Sequence, residues 1–126
     1  KRTQLALKTG ILKGILWHQG EADSTDKLAP AYEAKLHDLI ARMRKEVGSP
    51  ETPFVAGQLG KFADAPWDAF KTQVDDVHQA LPTKVPHTAF VSAAGLGHRG
   101  DKVHFDSPAY RELGKRFFEA WKKLAK

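Results

Sequence analysis

Apolar residues in this chain alternate between short unbroken runs and stripes at spacings of three and four, and the alternation recurs three times. Leu5-Ala6-Leu7-Lys8 followed by Thr9-Gly10 reads as the tail of a helix with a glycine stop, and residues 11–17 read as a buried strand. Ser24, Thr25 and Asp26 offer capping oxygens to a helix over about residues 28–47. Its stripe is Tyr32, Leu36, Leu39, Ile40, Met43 and Val47, and Gly48 and Pro50 end it. A second strand is predicted over 54–60. Pro66 then opens a helix whose stripe is Trp67, Phe70, Val74, Val77 and Leu81, with Pro82 and Pro86 bracketing its exit. Residues 88–92 form a third strand, followed by a glycine-broken loop over 95–100. Ser107 and Pro108 make a cap and first-turn pair for a last helix carrying Tyr110, Leu113, Phe117, Trp121 and Leu124 on one face.

Strands alternating with helices of this length specify an α/β class with a parallel sheet, and three strands make a thin one. The run over 11–17 would be a long apolar edge with no charge or proline to blunt it, which implies a partner strand that this chain does not supply. The 126 residues suffice for one ordinary core, so residues 1–126 are read as part of a single domain. Hydrophobic residues at 41% and charged residues at 28% exclude a disordered chain, and no apolar run approaches bilayer length. No membrane partner is expected.

The formal charge of +5 gathers at the ends, in Lys1, Arg2, Lys115, Arg116, Lys122, Lys123 and Lys126. No nucleic-acid-binding motif accompanies these residues, so they are read as solvated helix faces and no nucleic-acid partner is expected. The absence of cysteine excludes disulfides, thiolate metal sites and a cysteine nucleophile.

The polar chemistry concentrates in two loops at strand carboxyl ends. Trp17-His18-Gln19-Gly20-Glu21 interrupts the first apolar run, and His98 to Asp106 follows the third strand. Parallel strands send both loops to one rim, where His18, Glu21, Asp101 and His104 are expected to converge. At a spacing of three, Asp101 can accept the Nδ1 proton of His104 and leave Nε2 as a general base; a local cap is the plainer alternative. Gln19 supplies an amide donor and Gly20 permits close backbone approach, which together suit an oxyanion site. The competing reading has Gln19 satisfying buried backbone groups. Glu21 either orients a histidine or caps the following loop. A metal reading exists for His18, Glu21, His98, Asp101 and His104, but no H-E-x-x-H pattern supports it. His37, His78 and His87 receive no role. Ser24, Ser49, Ser92 and Ser107 lie in no nucleophile elbow, so the nucleophilic serine is not expected in this chain. Trp17, Trp67 and Phe105 can stack on a ligand ring or fill the core, and the core is the more frequent outcome.

Gly14-Ile15-Leu16-Trp17-His18-Gln19-Gly20-Glu21-Ala22-Asp23, residues 53–60 and Asp101-Lys102-Val103-His104-Phe105 resemble, in order, the sialate O-acetylesterase and acetylxylan esterase group of SGNH hydrolases, carbohydrate esterase family 6. The resemblance implies a flavodoxin-like three-layer α/β/α fold and metal-free, cofactor-free removal of acetyl groups from sugars through a serine acyl-enzyme. It matches His104 to the general base, Asp101 or Glu21 to the supporting acid, and the block holding His18, Gln19 and Gly20 to the oxyanion and substrate site. The family carries its serine in an amino-terminal G-Q-S block that has no counterpart here, and this chain begins like the middle of that domain. The expectations are therefore the carboxyl-terminal part of an esterase, inactive alone, whose partners are an acetylated carbohydrate and the missing amino-terminal half. A non-catalytic sugar-binding or structural remnant is the alternative, and secretion or a periplasmic location is expected by analogy with the family.

Overall fold

The computed structural model describes residues 2–125, so Lys1 and Lys126 of the terminal basic clusters lie outside the described residues. The elements in chain order are α1 (Arg2–Ala6), β1 (Ile15–Trp17), α2 (Ala29–Glu46), β2 (Phe54–Gly57), α3 (Ala69–Lys84), β3 (Thr88–Val91) and α4 (Ser107–Leu124). The sheet order is β1-β2-β3 and both pairings are parallel, with Ile15 opposite Phe54 and Phe54 opposite Thr88. This is the expected α/β architecture.

The sheet is sandwiched between helices, which is why β2 is buried on both faces. Alternate residues of β2 face opposite ways. Phe54 and Ala56 join Tyr32, Leu36 and Ile40 of α2 and Val74 and Leu81 of α3, while Val55 joins Val91 and the α4 residues Ala109, Leu113 and Phe117.

Several boundaries differ from the sequence expectation, each for a local reason. The first strand begins at Ile15 rather than residue 11. The Ile15 N–H bonds the Pro53 carbonyl at 2.7 Å, but Pro53 has no N–H to continue the ladder backwards. Leu16 is 60% exposed while Ile15 and Trp17 are half-buried, so only one face of the strand is covered. Residues 58–60 remain buried after β2 ends at Gly57.

Helix starts follow side-chain oxygens more than prolines. Thr25 is the effective candidate before α2, its Oγ1 accepting from the Leu28 N–H at 3.3 Å. Asp68, not Pro66, caps α3 by accepting from the Lys71 N–H at 2.7 Å, and Pro82 lies inside the last turn. Asp106 rather than Ser107 caps α4, accepting from the Ala109 N–H at 2.8 Å. The buried stripe of α3 is also rotated from the apolar one. Val74, Asp75, His78 and Leu81 point inward while Phe70 is exposed, because Asp75 and His78 find polar partners beneath the rim.

Candidate functional site

Three parallel strands deliver three loops to the carboxyl end of the sheet: residues 18–28 after β1, 58–68 after β2 and 92–106 after β3. Gln58, buried at the head of the central loop, ties them together. Its Oε1 accepts from the Ala93 N–H at 2.9 Å and the Ser92 Oγ–H at 3.1 Å, and its Nε2 donates to Asp75 Oδ2 on α3 at 3.0 Å. Its main-chain oxygen lies 3.0 Å from His18 Nε2. A carbonyl only accepts, so His18 carries a proton on Nε2. Gly57 makes this approach possible: a Cβ there would lie 2.5 Å from the Phe117 ring and 3.1 Å from His18 Cδ2.

The loop after β3 is folded on itself by a bridge between His98 and Phe105 and by the Arg99 N–H to His104 carbonyl bond. His98 Nδ1 accepts from the Gly100 N–H at 3.0 Å, which leaves Nε2–H to donate to Asp64 Oδ1 at 3.2 Å and clasp the central loop. Within this frame Asp101 Oδ1 accepts from the backbone N–H groups of His104 and Val103, at 2.8 and 3.0 Å. Its Oδ2 lies 2.8 Å from His104 Nδ1 and 2.6 Å from Arg99 Nε. The backbone N–H of His104, then its ring, Arg99 and the Val103 N–H hold the Asp101 carboxyl well below the usual carboxylate range. The carboxylate accepts a hydrogen bond from Nδ1–H, which leaves Nε2 at the exposed rim, the geometry of a general base. The expected D-x-x-H pairing is formed; Asp101 is both the local cap and the ring's partner.

The pentapeptide loop is anchored from the opposite face of the sheet. Gln19 Nε2 donates to Asp23 Oδ2 at 2.6 Å, leaving one amide N–H unengaged among the described residues, and both Gln19 oxygens face the Tyr32 hydroxyl. Gly20 is buried at φ 155°, where a Cβ would lie 2.7 Å from Val74 Cγ1 and 3.3 Å from His78 Cε1. Its lack of a side chain is thus demanded by packing against α3. Glu21 opens a short 3₁₀ turn (Glu21–Asp23) and is exposed; among the described residues its carboxylate bonds no histidine. Ser24, expected as a helix cap, instead donates its hydroxyl to the Gly20 carbonyl at 2.8 Å.

The two loops meet where the His18 ring tilts against Phe105, centroids 5.7 Å apart, beside His104. Gln19 makes no hydrogen bond to Asp101 or His104 among the described residues. Phe105 is a core residue; Trp17 and Trp67 pack half-buried against the core. No group of three or more His, Asp and Glu side chains at metal-binding separation occurs among the described residues. Sequence reasoning passed over Gln58, Asp75, Tyr32 and His78. The signal available was two polar residues, Asp75 and His78, three apart within the apolar face of α3.

The family model described as carbohydrate esterase, sialic acid-specific acetylesterase, matches residues 1–123. A probable carbohydrate esterase of Arabidopsis thaliana is 30% identical over 124 residues, 96% of this chain and 45% of that protein. The crystal structure of that Arabidopsis protein superposes with a TM-score of 0.83 at 26% identity, over 97% of this chain and 49% of the other. A carbohydrate acetylesterase from Xanthomonas citri superposes with a TM-score of 0.75 at 27% identity, over 90% of this chain and 26% of the other. The chain spans less than half the length of each of these relatives.

Proposed function

Because the chain belongs to the carbohydrate esterase family described as sialic acid-specific acetylesterase, we propose that it forms the carboxyl-terminal part of a serine carbohydrate O-acetylesterase, with Asp101 and His104 as its acid–base pair. The observation that carries the proposal is the 2.8 Å contact between Asp101 Oδ2 and His104 Nδ1 on the exposed rim, with His104 Nε2 unengaged among the described residues. A serine from outside these residues attacks the acetyl carbonyl carbon as His104 Nε2 takes its proton. The carbonyl oxygen becomes an oxyanion, and in this reading the second amide N–H of Gln19 donates to it. Collapse breaks the ester bond, and the proton on Nε2 passes to the departing sugar oxygen. Water, deprotonated by Nε2, then attacks the acetyl-serine; the bond from the acetyl carbon to the serine oxygen breaks, the Nε2 proton returns to that oxygen, and acetate is released.

Two features support placing the nucleophile elsewhere. Among the described residues β1 is paired on one side only, with Leu16 exposed, and the chain covers less than half the length of its relatives. Asp101, not Glu21, is assigned as the acid because it alone of the two bonds the ring.

The test is hydrolysis of an acetylated sugar and of an aryl acetate by the 126-residue chain and by a form extended with a G-Q-S-bearing amino-terminal half. The extended form is expected to be active and the short chain inert. In the extended form, His104→Ala should cost about 10³-fold or more in kcat. Asp101→Asn should cost at least about 10²-fold, and Glu21→Gln less than about tenfold. Turnover by the short chain that disappears in His104→Ala would overturn the placement of the nucleophile, and a Glu21→Gln loss exceeding that of Asp101→Asn would reverse the assignment of the acid.

A further inference from the structure

Tyr32 stands on α2 beneath the pentapeptide loop, buried, with four polar atoms around one hydroxyl. His78 Nε2 lies at 2.8 Å, the Gln19 main-chain oxygen at 3.0 Å, Gln19 Oε1 at 3.3 Å and Trp17 Nε1 at 3.4 Å. A phenol has one proton and two lone pairs. The Trp17 indole can only donate and the Gln19 oxygens can only accept, so the arrangement is decided by His78. If Tyr32 gave its proton to His78, its oxygen would face both Gln19 oxygens with no hydrogen between them. The His78 Nδ1–H would then be an orphaned buried donor. If His78 donates from Nε2, both Tyr32 lone pairs are filled and its proton goes to Gln19. His78 Nδ1 then carries a bare lone pair, and it is an atom without a partner.

The surroundings keep this arrangement in place. Burial, only partly opposed by the Asp75 charge on the same helix, pushes His78 down to about 4 and keeps it neutral; His18 and Glu21 from the loop after β1 also face it. Burial raises Tyr32 to about 12 and keeps its proton.

We propose that Tyr32 and His78 are positioning residues for Gln19: the hydroxyl, its lone pairs filled by Trp17 and His78, clamps the main-chain oxygen and Oε1 of Gln19 from below. Asp23 takes one Nε2–H, and the remaining Nε2–H is the amide's single donor free for a ligand. The inference deepens the reading of Gln19 as an oxyanion donor and rests on it. Neither Tyr32 nor His78 reaches the reacting atoms; each acts through Gln19.

The experiment follows the nitrogen and amide-proton NMR signals of the ¹⁵N-labelled 126-residue chain, with Tyr32→Phe and His78→Gln. The wild-type chain is expected to show His78 protonated at Nε2 at neutral pH. The Gln19 side-chain amide proton bonded to Asp23 should exchange at least about tenfold more slowly than those of the exposed Gln73. Tyr32→Phe should erase that protection, whereas His78→Gln, whose amide can still donate to Tyr32, should retain it within about threefold. A purely structural role would change stability in both variants without distinguishing Gln19 from its neighbours. Unchanged Gln19 protection in Tyr32→Phe, or a His78 proton found on Nδ1, would overturn the proposal. If Tyr32→Phe fails to fold, the wild-type tautomer and the His78→Gln protection still decide it. These measurements follow Gln19 order and not catalysis. Full activity of a Gln19→Ala form of the extended esterase would therefore retire the oxyanion reading separately.

Discussion

Acid should weaken this fold through one buried histidine. An unfolded His78 titrates near 6.5, whereas the folded side chain is pushed down to about 4 by burial. Between those values the unfolded chain binds a proton that the folded chain refuses, so stability is full above about pH 6.5 and falls as the pH drops toward 4. At about 1.4 kcal/mol for each tenfold in proton affinity, the gap corresponds to about 3 kcal/mol, of which about 2 kcal/mol is lost between pH 7 and pH 4.5. That is a sizeable share of the 5–15 kcal/mol, roughly, that holds a small domain together. Stopping at pH 4.5 stays above the range in which Asp101, held below the usual carboxylate range, gives up its charge. The assay is urea unfolding followed by circular dichroism at both pH values, for the wild-type chain and His78→Gln. Glutamine keeps an N–H for Tyr32 and cannot titrate, so its loss over the same interval should be about 2 kcal/mol smaller than that of the wild type. Equal losses in the two proteins would refute the reasoning and would mean that the folded chain admits the proton without cost.

Gly20→Ala should destabilise the chain by about 2 kcal/mol or more, since the added Cβ would lie 2.7 Å from Val74 Cγ1 at a backbone φ of 155°; thermal unfolding within a degree of wild type would sink this. Gln58→Leu removes the acceptor for the buried Ala93 N–H and one of the donors to buried Asp75, and should cost about 2–4 kcal/mol in urea unfolding. A loss under about 1 kcal/mol would show that the three loops do not depend on this junction.

The class of the fold was legible because each segment's apolar period matches its structure, with unbroken runs for a sheet covered on both faces and stripes for helices resting on it. Boundaries were less legible. Pro66 and Ser107 carry the sequence signals of helix starts, but the nearby Asp68 and Asp106 accept the first-turn N–H groups. The onset of β1 depended on Pro53, a residue on the other strand of the ladder.

The amino-acid sequence by itself determined the alternating α/β order, the two polar loops at strand ends and the three-residue spacing that lets Asp101 reach His104. All of these are set by local spacing and by the rule that parallel strands send their loops to one rim. Only the tertiary structure decided that Gln58 joins those loops, that Asp75 and His78 turn inward, and that the Gln19 carbonyl ends on the Tyr32 hydroxyl. Those contacts join residues from 13 to 46 positions apart. Which of them form depends on which buried donors and acceptors the packed layers leave without water, and no local period encodes that.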